Sequence, residues 1–174
     1  MLFRSFFNLD FGRTIIIDKY SSAKIKIKEI PYLRRQLGVI FQDFKLLPDR
    51  NVFDNVAFAL RATGVKNKEV KRRVLRVLTD VNLGHKRNHY PDELSGGEQQ
   101  RVAIARAIVN NPIVVLADEP TGNLDAETSR EIMEILQRIN QQGTAVLMAS
   151  HNQELISLYK HRVIEIKDGE LGRL

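Results

Sequence analysis

The 174-residue sequence contains no cysteine. Disulfide bonds and thiolate chemistry are therefore excluded, both as links that stabilise the fold and as catalytic devices. The sequence also has no apolar run that approaches the roughly 20 residues needed for a helix to cross a bilayer. What remains is an ordinary globular composition, with 43% hydrophobic and 28% charged residues. Its length favours one domain with a sizeable core.

Charge of one sign is not concentrated in a long run, although the net charge is +6. A positive balance can indicate a nucleic-acid partner or an anionic membrane surface. The basic residues are scattered, however, apart from a group on one predicted helix: Lys71, Arg72, Arg73 and Arg76. A solvated helix face is the favoured interpretation, and no nucleic-acid partner is expected.

Short apolar segments predict the strands of a buried sheet. Residues 113–117 are continuously apolar and rich in branched side chains, which suits a parallel strand covered on both faces. The other predicted strands are residues 13–18, 37–41, 144–150 and 163–166. Residues 168–169 predict the turn after the last strand. Residues 1–9 fit either a helix end or a strand, and Gly12 ends that segment.

Apolar residues at helical spacing predict helices that alternate with these strands. The predicted helices are residues 54–60, residues 68–83 with Gly84 as the stop, a helix from Gly96, and residues 126–141 with Gly143 as the stop. Residues 24–30 alternate strictly between polar and apolar, which by period alone predicts a half-buried strand. The alternation of elements predicts an α/β fold, a doubly wound sheet interrupted by a helical insertion.

Ser95 and Glu98 have the spacing of a capping box, in which the two side chains satisfy free backbone N–H groups at the start of a helix. Gly96 and Gly97 follow in the first helical turn and cost about 1 kcal/mol each relative to alanine. That cost is understandable if a ligand approaches the backbone closely, and a phosphate is the natural candidate. On these four residues alone, an ordinary capped helix with tolerated glycines is the simpler interpretation.

Asp118 and Glu119 stand directly after the strand of residues 113–117, where open α/β sheets place their ligands. An aspartate there can hold Mg²⁺ directly or through water. A neighbouring glutamate can polarise an attacking water. Pro120 closes the strand and Gly122 permits a turn. Seen alone, the two carboxylates could also be a solvated pair at a strand end.

The succession of these motifs resembles the ATP-binding cassette (ABC) family. Residues 94–99 look like its signature motif, residues 113–119 like its Walker B strand with the catalytic glutamate, and residues 123–125 like its D-loop. In the same series, Gln42 resembles the Q-loop glutamine and His151 the H-loop histidine. The histidine is flanked by Ser and Asn, where many relatives have Thr and Asp.

The resemblance implies a head-to-tail homodimer that binds ATP and Mg²⁺. Gln42 and Asp118 would serve Mg²⁺, Glu119 would activate the attacking water, and His151 would stabilise the developing charge. The signature motif and the D-loop would supply the other contacts to nucleotide: Ser95, Gly96, Gly97, Glu98 and Asp125. Ser95 and Gly97 would donate hydrogen bonds to the γ-phosphate of the ATP that the partner subunit holds.

The resemblance also implies an ABC-type nucleotide-binding domain, a P-loop NTPase-like parallel sheet with a helical subdomain at about residues 43–110. In the family this subdomain meets a transmembrane partner at the cytoplasmic face of the membrane. The apolar cluster within residues 41–60 would therefore form either core or an exposed docking groove. Residues 24–30 would be a loop that leads into a short helix before Pro31.

One element that this chemistry requires is missing. A nucleotide hydrolase of this kind needs a phosphate loop, G-x-x-x-x-G-K-[ST], and none of the ten glycines begins one. Residues 1–4 look like the end of the helix that follows this loop. We therefore expect residues 1–174 to be a partial domain without the N-terminal strands and the phosphate loop. By itself the chain would then be a non-catalytic module that cannot hold ATP.

Residues 30–60 and 118–125 bring the resemblance closer to the branch of the family that acts in bacterial cell division. There the ATPase signals through a transmembrane subunit to cell-wall hydrolases and does not move a solute. Lipoprotein-release and macrolide-export ATPases share the second segment and are the nearest alternatives. Chromosome-maintenance and DNA-repair ATPases insert a long coiled coil between Q-loop and signature, and Gln42 and Leu94 lie too close in sequence for that, without sustained heptads.

Overall fold

Helices and strands alternate along the chain, as a computed structural model of residues 14–159, 161–167 and 170–171 shows. The strands are β1 (Ile16–Ile17), β2 (Tyr20–Ser21), β3 (Leu37–Ile40), β4 (Val114–Asp118), β5 (Ala145–Ala149), β6 (Ile166–Lys167) and β7 (Glu170–Leu171). The helices are α1 (Ile30–Arg35), α2 (Val52–Arg61), α3 (Asn67–Asp80), α4 (Gly96–Ile108), α5 (Ala126–Gln141) and α6 (Gln153–Leu158). This arrangement confirms the predicted α/β class.

A parallel sheet in the order β3-β4-β5 forms the centre of the fold. The register pairs Ile40 with Ala117 and Asp118 with Ala149. The carboxyl ends of the three strands therefore share one edge, which is where an open α/β sheet holds its ligands. The other paired strands are two short antiparallel ladders, β1 with β2 and β6 with β7.

One face of the central sheet packs on helices α4 and α5. Alternate residues of the strands point to this face, and Ile40, Val115 and Ala117 are buried there. On the opposite face, Leu116 is half-buried and Leu147 is exposed. Among the described residues, therefore, β4 is covered on one face, whereas its continuous apolar sequence predicted cover on both.

Helices α2, α3 and α4 pack on one another and share one core with the sheet. The predicted helix of residues 68–83 ends earlier, at Asp80, so the prediction that Gly84 stops it is wrong. Asn82 takes the left-handed conformation after the helix, with φ 58°. Asparagine tolerates that conformation better than most residues. Gly84 instead starts a short 3₁₀ turn.

Residues 24–30 do not form a strand, so the prediction made from their alternation is wrong. Ile27–Glu29 form a 3₁₀ turn that runs directly into α1. Pro31 lies in the first turn of α1, where its missing N–H leaves no helical hydrogen bond unmade. Ile27 is 87% exposed whereas Ile25 and Ile30 are half-buried, so the apolar residues of the alternating pattern do not share one buried face. The loop-and-helix interpretation is confirmed, with Pro31 inside the helix.

The helix predicted at residues 126–141 is confirmed as α5, and Gly143 follows it with φ 99°. The strands predicted at residues 13–18 and 163–166 are reduced to β1 and to the single residue Ile166, which opens β6. The predictions for residues 1–9, Gly12 and residues 168–169 fall outside the described residues. None of the helices that the structure describes combines the length and the apolar character needed to span a bilayer.

Candidate functional site

Glu119 and His151 meet at the carboxyl edge of the sheet, because one follows β4 and the other follows β5. Glu119 Oε1 lies 2.7 Å from His151 Nδ1 and accepts the His151 backbone N–H at 3.0 Å. The Glu119 backbone N–H donates to the carbonyl of Ala149 at 3.0 Å. If the imidazole is neutral and donates from Nδ1, then Nε2 is its free acceptor.

The backbone of Glu119 is strained. Its φ is 45°, in the left-handed region that costs a residue with a Cβ about 1–2 kcal/mol. Such strain persists only where neighbouring contacts hold it, and it is common at functional sites. Three hydrogen bonds hold the turn that follows β4: Glu119 N–H to Ala149, Gly122 N–H to the Glu119 carbonyl, and the Gln100 side chain to the Pro120 carbonyl.

The turn after β4 lies against the segment that contains Gln42. A Cβ built on Gly122 would come within 2.9 Å of Gln42 Nε2, so only glycine allows this approach without a shift. Asn123 Nδ2 donates to the Gln42 carbonyl at 3.2 Å. Asp118, the last residue of β4, is exposed beside this contact.

The residues expected to serve Mg²⁺ fit that ion chemically. Asp118 offers a carboxylate and Gln42 an amide oxygen, and both side chains are exposed. Mg²⁺ prefers oxygen ligands, usually keeps several waters, and is completed by substrate phosphates. Two exposed oxygen donors at the carboxyl edge suit such a partly hydrated site. The assignment of Asp118 and Gln42 as Mg²⁺ ligands stays a prediction.

Phe44 and Lys45, which lie shortly after Gln42, both have a left-handed backbone conformation, with φ 58° and 49°. Arg106 of α4 holds them from the side: its Nη2 donates to the Phe44 carbonyl at 2.7 Å and its Nη1 to the Lys45 carbonyl at 2.6 Å. Burial lowers the pKa of Arg106. The shape of the segment after Gln42 thus depends on a guanidinium from another element.

We expect Arg106→Ala to lower the free energy of unfolding by about 2–3 kcal/mol, because two hydrogen bonds from a half-buried charged group are lost together. Urea unfolding followed by circular dichroism measures this change. Arg72→Ala is the matched control, since Arg72 pairs with Glu69 at the surface and an exposed pair contributes about 0–1 kcal/mol. Equal losses in the two variants would contradict the role given to Arg106.

The capping box at the start of α4 is confirmed. Ser95 Oγ accepts the Glu98 N–H at 3.2 Å, and Glu98 Oε2 accepts the Ser95 N–H at 2.9 Å. The Ser95 N–H lowers the pKa of Glu98, and the Lys86 ammonium at 3.7 Å acts in the same direction. Within the described residues, neither Ser95 nor Glu98 hydrogen-bonds to the Glu119–His151 pair.

The two glycines of the signature have a packing role. A Cβ on Gly97 would overlap the methyl group of Thr128 on α5, and a Cβ on Gly96 would meet Leu124 at 3.4 Å. The absence of a side chain at Gly97 therefore lets α4 and α5 approach closely. The sequence predicted that these glycines allow a ligand to approach the backbone closely. In the structure, the close neighbour of Gly97 is helix α5.

Asp125 caps helix α5. Its Oδ1 accepts the Thr128 N–H at 2.9 Å and its Oδ2 accepts the Thr128 hydroxyl at 2.6 Å. The hydroxyl, and then the N–H, lower the pKa of Asp125. Since both oxygens are engaged within the chain, capping is the role that the structure gives this residue. Its contact with nucleotide stays a prediction.

Sequence reasoning missed Gln100 and Arg106, which hold the two strained segments of the site. Gln100 is fully buried, and its Nε2 donates to the Pro120 carbonyl at 2.6 Å. The available signal was its spacing, since Gly97, Gln100, Ala103 and Ala107 repeat along the inward face of α4. A polar residue on such a face must find a partner.

Comparison with protein families identifies the class. The ABC transporter family matches residues 12–122, which is more than half of the chain. The sheet, the capped signature helix and the carboxylates at the strand end agree with that match. The chain belongs to the ABC transporter family, in its ATP-binding component.

Similar proteins point to one branch of the family. The chain is 58% identical over 159 residues to the cell division ATP-binding protein FtsE of Bacillus subtilis, covering 91% of the chain and 70% of the relative. It is 50% identical over 149 residues to the protein of that name from Escherichia coli, covering 86% of the chain and 67% of the relative. The chain is thus an FtsE-like cassette, as the sequence predicted.

Solved structures agree with the fold. The dimeric post-hydrolysis state of the ATP-binding cassette MJ0796, bound to ADP and Pi, superposes with a TM-score of 0.78 at 36% identity. The match covers 92% of this chain and 71% of the other. The ABC cassette fold is therefore confirmed.

Proposed function

We propose that this chain, when joined to a phosphate loop, acts as the ATP-hydrolysing subunit of an FtsE-FtsX-type complex in bacterial cell division. Two copies would form a homodimer at the cytoplasmic face of the membrane, bound there through an FtsX-like transmembrane subunit. Hydrolysis would reset a dimer whose closing the transmembrane subunit relays to cell-wall hydrolases. The observation that carries the proposal is the Glu119–His151 pair beside Asp118.

Glu119 is suited to take a proton from water. Its Oε1 already accepts two donors of His151, the ring Nδ1 and the backbone N–H, when Nδ1 is protonated. These contacts fix the carboxylate and leave Oε2 to accept the proton of an attacking water. The water oxygen then bonds to the γ-phosphorus as the bond to the ADP oxygen breaks.

The other predicted residues would act by position and charge. Asp118 and Gln42 would hold Mg²⁺, which neutralises charge on the phosphates when bound. His151 would face the developing charge with Nε2, and it would stabilise that charge when both ring nitrogens carry a proton, because Nδ1 already faces Glu119. Ser95 and the N–H groups of Gly96 and Gly97 lie at a helix N-terminus, a favourable place for the phosphate of a second ATP. Glu98 would support them, since its N–H and its carboxylate hold Ser95 in the capping box. Charge complementarity of this kind supplies most of the rate enhancement in phosphoryl transfer.

We also propose residues 43–110 as the helical subdomain, which the mutual packing of α2, α3 and α4 supports. In the apolar cluster within residues 41–60, Val52 is buried and belongs to the core. Phe58 is 43% exposed and carries the Arg50 guanidinium 4.7 Å from its ring centre. The exposed part of this cluster suits contact with the transmembrane subunit.

A second function, that of a non-catalytic module, applies to residues 1–174 by themselves. It is favoured by one observation, which is that the 174 residues contain no phosphate loop. The expected surfaces for a partner would remain, whereas the chain's own pocket for the phosphates would lack its lysine and its cradle of N–H groups.

One experiment tests both functions. A chimera, in which the N-terminal segment of the Bacillus subtilis FtsE precedes this chain, should hydrolyse ATP in a reaction that EDTA abolishes. Residues 1–174 alone should show no heat of ATP binding at micromolar concentration in calorimetry. A folded chimera without hydrolysis would refute the ATPase function. Micromolar ATP binding by residues 1–174 would refute the module.

A further inference from the structure

Gln100 is a polar side chain at the centre of the interface between α4 and the turn that follows β4. Its exposed fraction is 0%. Its Nε2 donates to the Pro120 carbonyl at 2.6 Å, while its Oε1 is buried without a hydrogen-bond partner among the described residues. The orientation of the amide is fixed by the Pro120 carbonyl, since the flipped amide would set two oxygens against each other.

The glutamine at this position has both a cost and a gain in stability. A buried acceptor without a partner costs free energy, because it has lost its hydrogen bonds to water. Methionine would fill a similar volume without that cost, but it would leave the buried Pro120 carbonyl without its donor. Unsatisfied buried groups in native structures call for an explanation outside simple stability. The Nε2 end of the Gln100 side chain supplies such an explanation.

The Nε2 atom anchors the strained turn that carries Glu119. Glu119 has φ 45°, and its carboxylate is aimed at His151 by this backbone. The Ala149 carbonyl holds the turn from β5, and the Gly122 N–H holds it from within. Pro120 has no N–H, so its carbonyl is its one backbone hydrogen-bonding group, and Gln100 takes it. Gln100 is thus the anchor that comes from the signature helix.

Helix α4 packs on α5, and its N-terminus belongs to the same continuous helix as Gln100. Gly97 packs directly on Thr128, and Arg101 Nη1 lies 2.8 Å from Glu131 Oε2. Gln100 lies five positions after Ser95, which is about 7.5 Å along a helix. A displacement of the signature motif therefore reaches Gln100 without passing through a flexible segment.

We propose that Gln100 is a positioning residue, which holds the Glu119 turn in its strained conformation and transmits displacements of the signature helix to it. The inference rests on the function proposed above for Glu119 and Ser95. Each signature helix then has two roles, because its N-terminus contacts one ATP while its buried glutamine sets the catalytic carboxylate for the other.

Amide hydrogen exchange of the 174-residue chain, followed by NMR at constant pH, tests this role without nucleotide. Gln100→Met should speed exchange of the Glu119, Gly122 and His151 amides at least tenfold. The amides of α3 should change less than twofold. Gln137→Met is the matched control, since Gln137 is exposed on α5, and it should leave the three turn amides unchanged within twofold.

The outcomes separate positioning from a purely structural role. Acceleration confined to the turn supports the proposal, whereas equal acceleration throughout the chain, or none at the turn, overturns it. A second measurement needs no variant: the side-chain NH₂ protons of Gln100 should exchange at least tenfold more slowly than those of exposed Gln141. Equal rates overturn the proposal. Since neither measurement involves ATP, their result is independent of whether the chimera hydrolyses it.

Discussion

Glu119→Gln should lower kcat of the ATP-hydrolysing chimera by a factor of about 10²–10⁴, which is the usual contribution of a positioned general base. The amide has nearly the same shape as the carboxylate, and its oxygen can still accept the His151 backbone N–H. It cannot take up the proton of the attacking water. The loss should therefore fall on kcat, with KM nearly unchanged.

Steady-state phosphate release at several ATP concentrations measures this split. Glu134→Gln provides the control, because Glu134 is an exposed residue of α5 away from the strand edge. Its kcat should stay within twofold of the parent chimera. Full-rate hydrolysis by the Glu119 variant would remove the catalytic assignment. A loss confined to KM would instead give Glu119 a binding role.

Asn55→Asp should lower the free energy of unfolding by about 3–5 kcal/mol at neutral pH, the range for leaving a buried charge unpaired. Asn55 is fully buried. Its Nδ2 donates to the carbonyls of Leu47, Arg50 and Asn51, at 3.1, 2.8 and 3.1 Å, and its Oδ1 accepts the Leu47 N–H at 2.8 Å. A carboxylate keeps that one acceptor contact and sets a negative oxygen against the carbonyls.

Urea unfolding gives the size of this effect, and its pH dependence gives the cause. Burial among carbonyls raises the pKa of the new carboxyl in the folded state, so the folded chain binds the extra proton. The loss should therefore be smallest below the pKa of the unfolded chain, near 4, and should grow as pH rises. Asn67→Asp, the same change at the exposed first residue of α3, should alter stability by less than about 1 kcal/mol. Equal losses would contradict the account of Asn55.

The parts of the fold that sequence predicted well depend on local patterns. The capping box of Ser95 and Glu98 lies within four residues, so it can be predicted from those residues without the rest of the chain. The strand cores at residues 37–41 and 144–150 were found because their apolar runs are short and bounded by polar residues. The family resemblance implied that Glu119 and His151 serve the same nucleotide, and the parallel register of β4 and β5 brings the two residues together.

The parts that sequence did not predict depend on partners far along the chain. Gln100 acts on a carbonyl 20 residues later, and Arg106 on carbonyls 61 and 62 residues earlier. The left-handed conformations of Phe44, Lys45 and Glu119 carry no glycine signal, because tertiary contacts impose them. The alternation of residues 24–30 misled for a related reason, since period-two patterning means little where no sheet is present to receive the strand.

The hydrogen bonds from Arg106 to the Phe44 and Lys45 carbonyls also bear on the order in which parts of the chain fold. The contact closes a loop of about 60 residues, and the chain must lose the entropy of that closure before the guanidinium reaches its carbonyls. We therefore expect helix α4 to dock before the backbone beside Gln42 adopts its left-handed turn. The same segment should be among the first to open when the protein loosens, as segments that bind ligands often are.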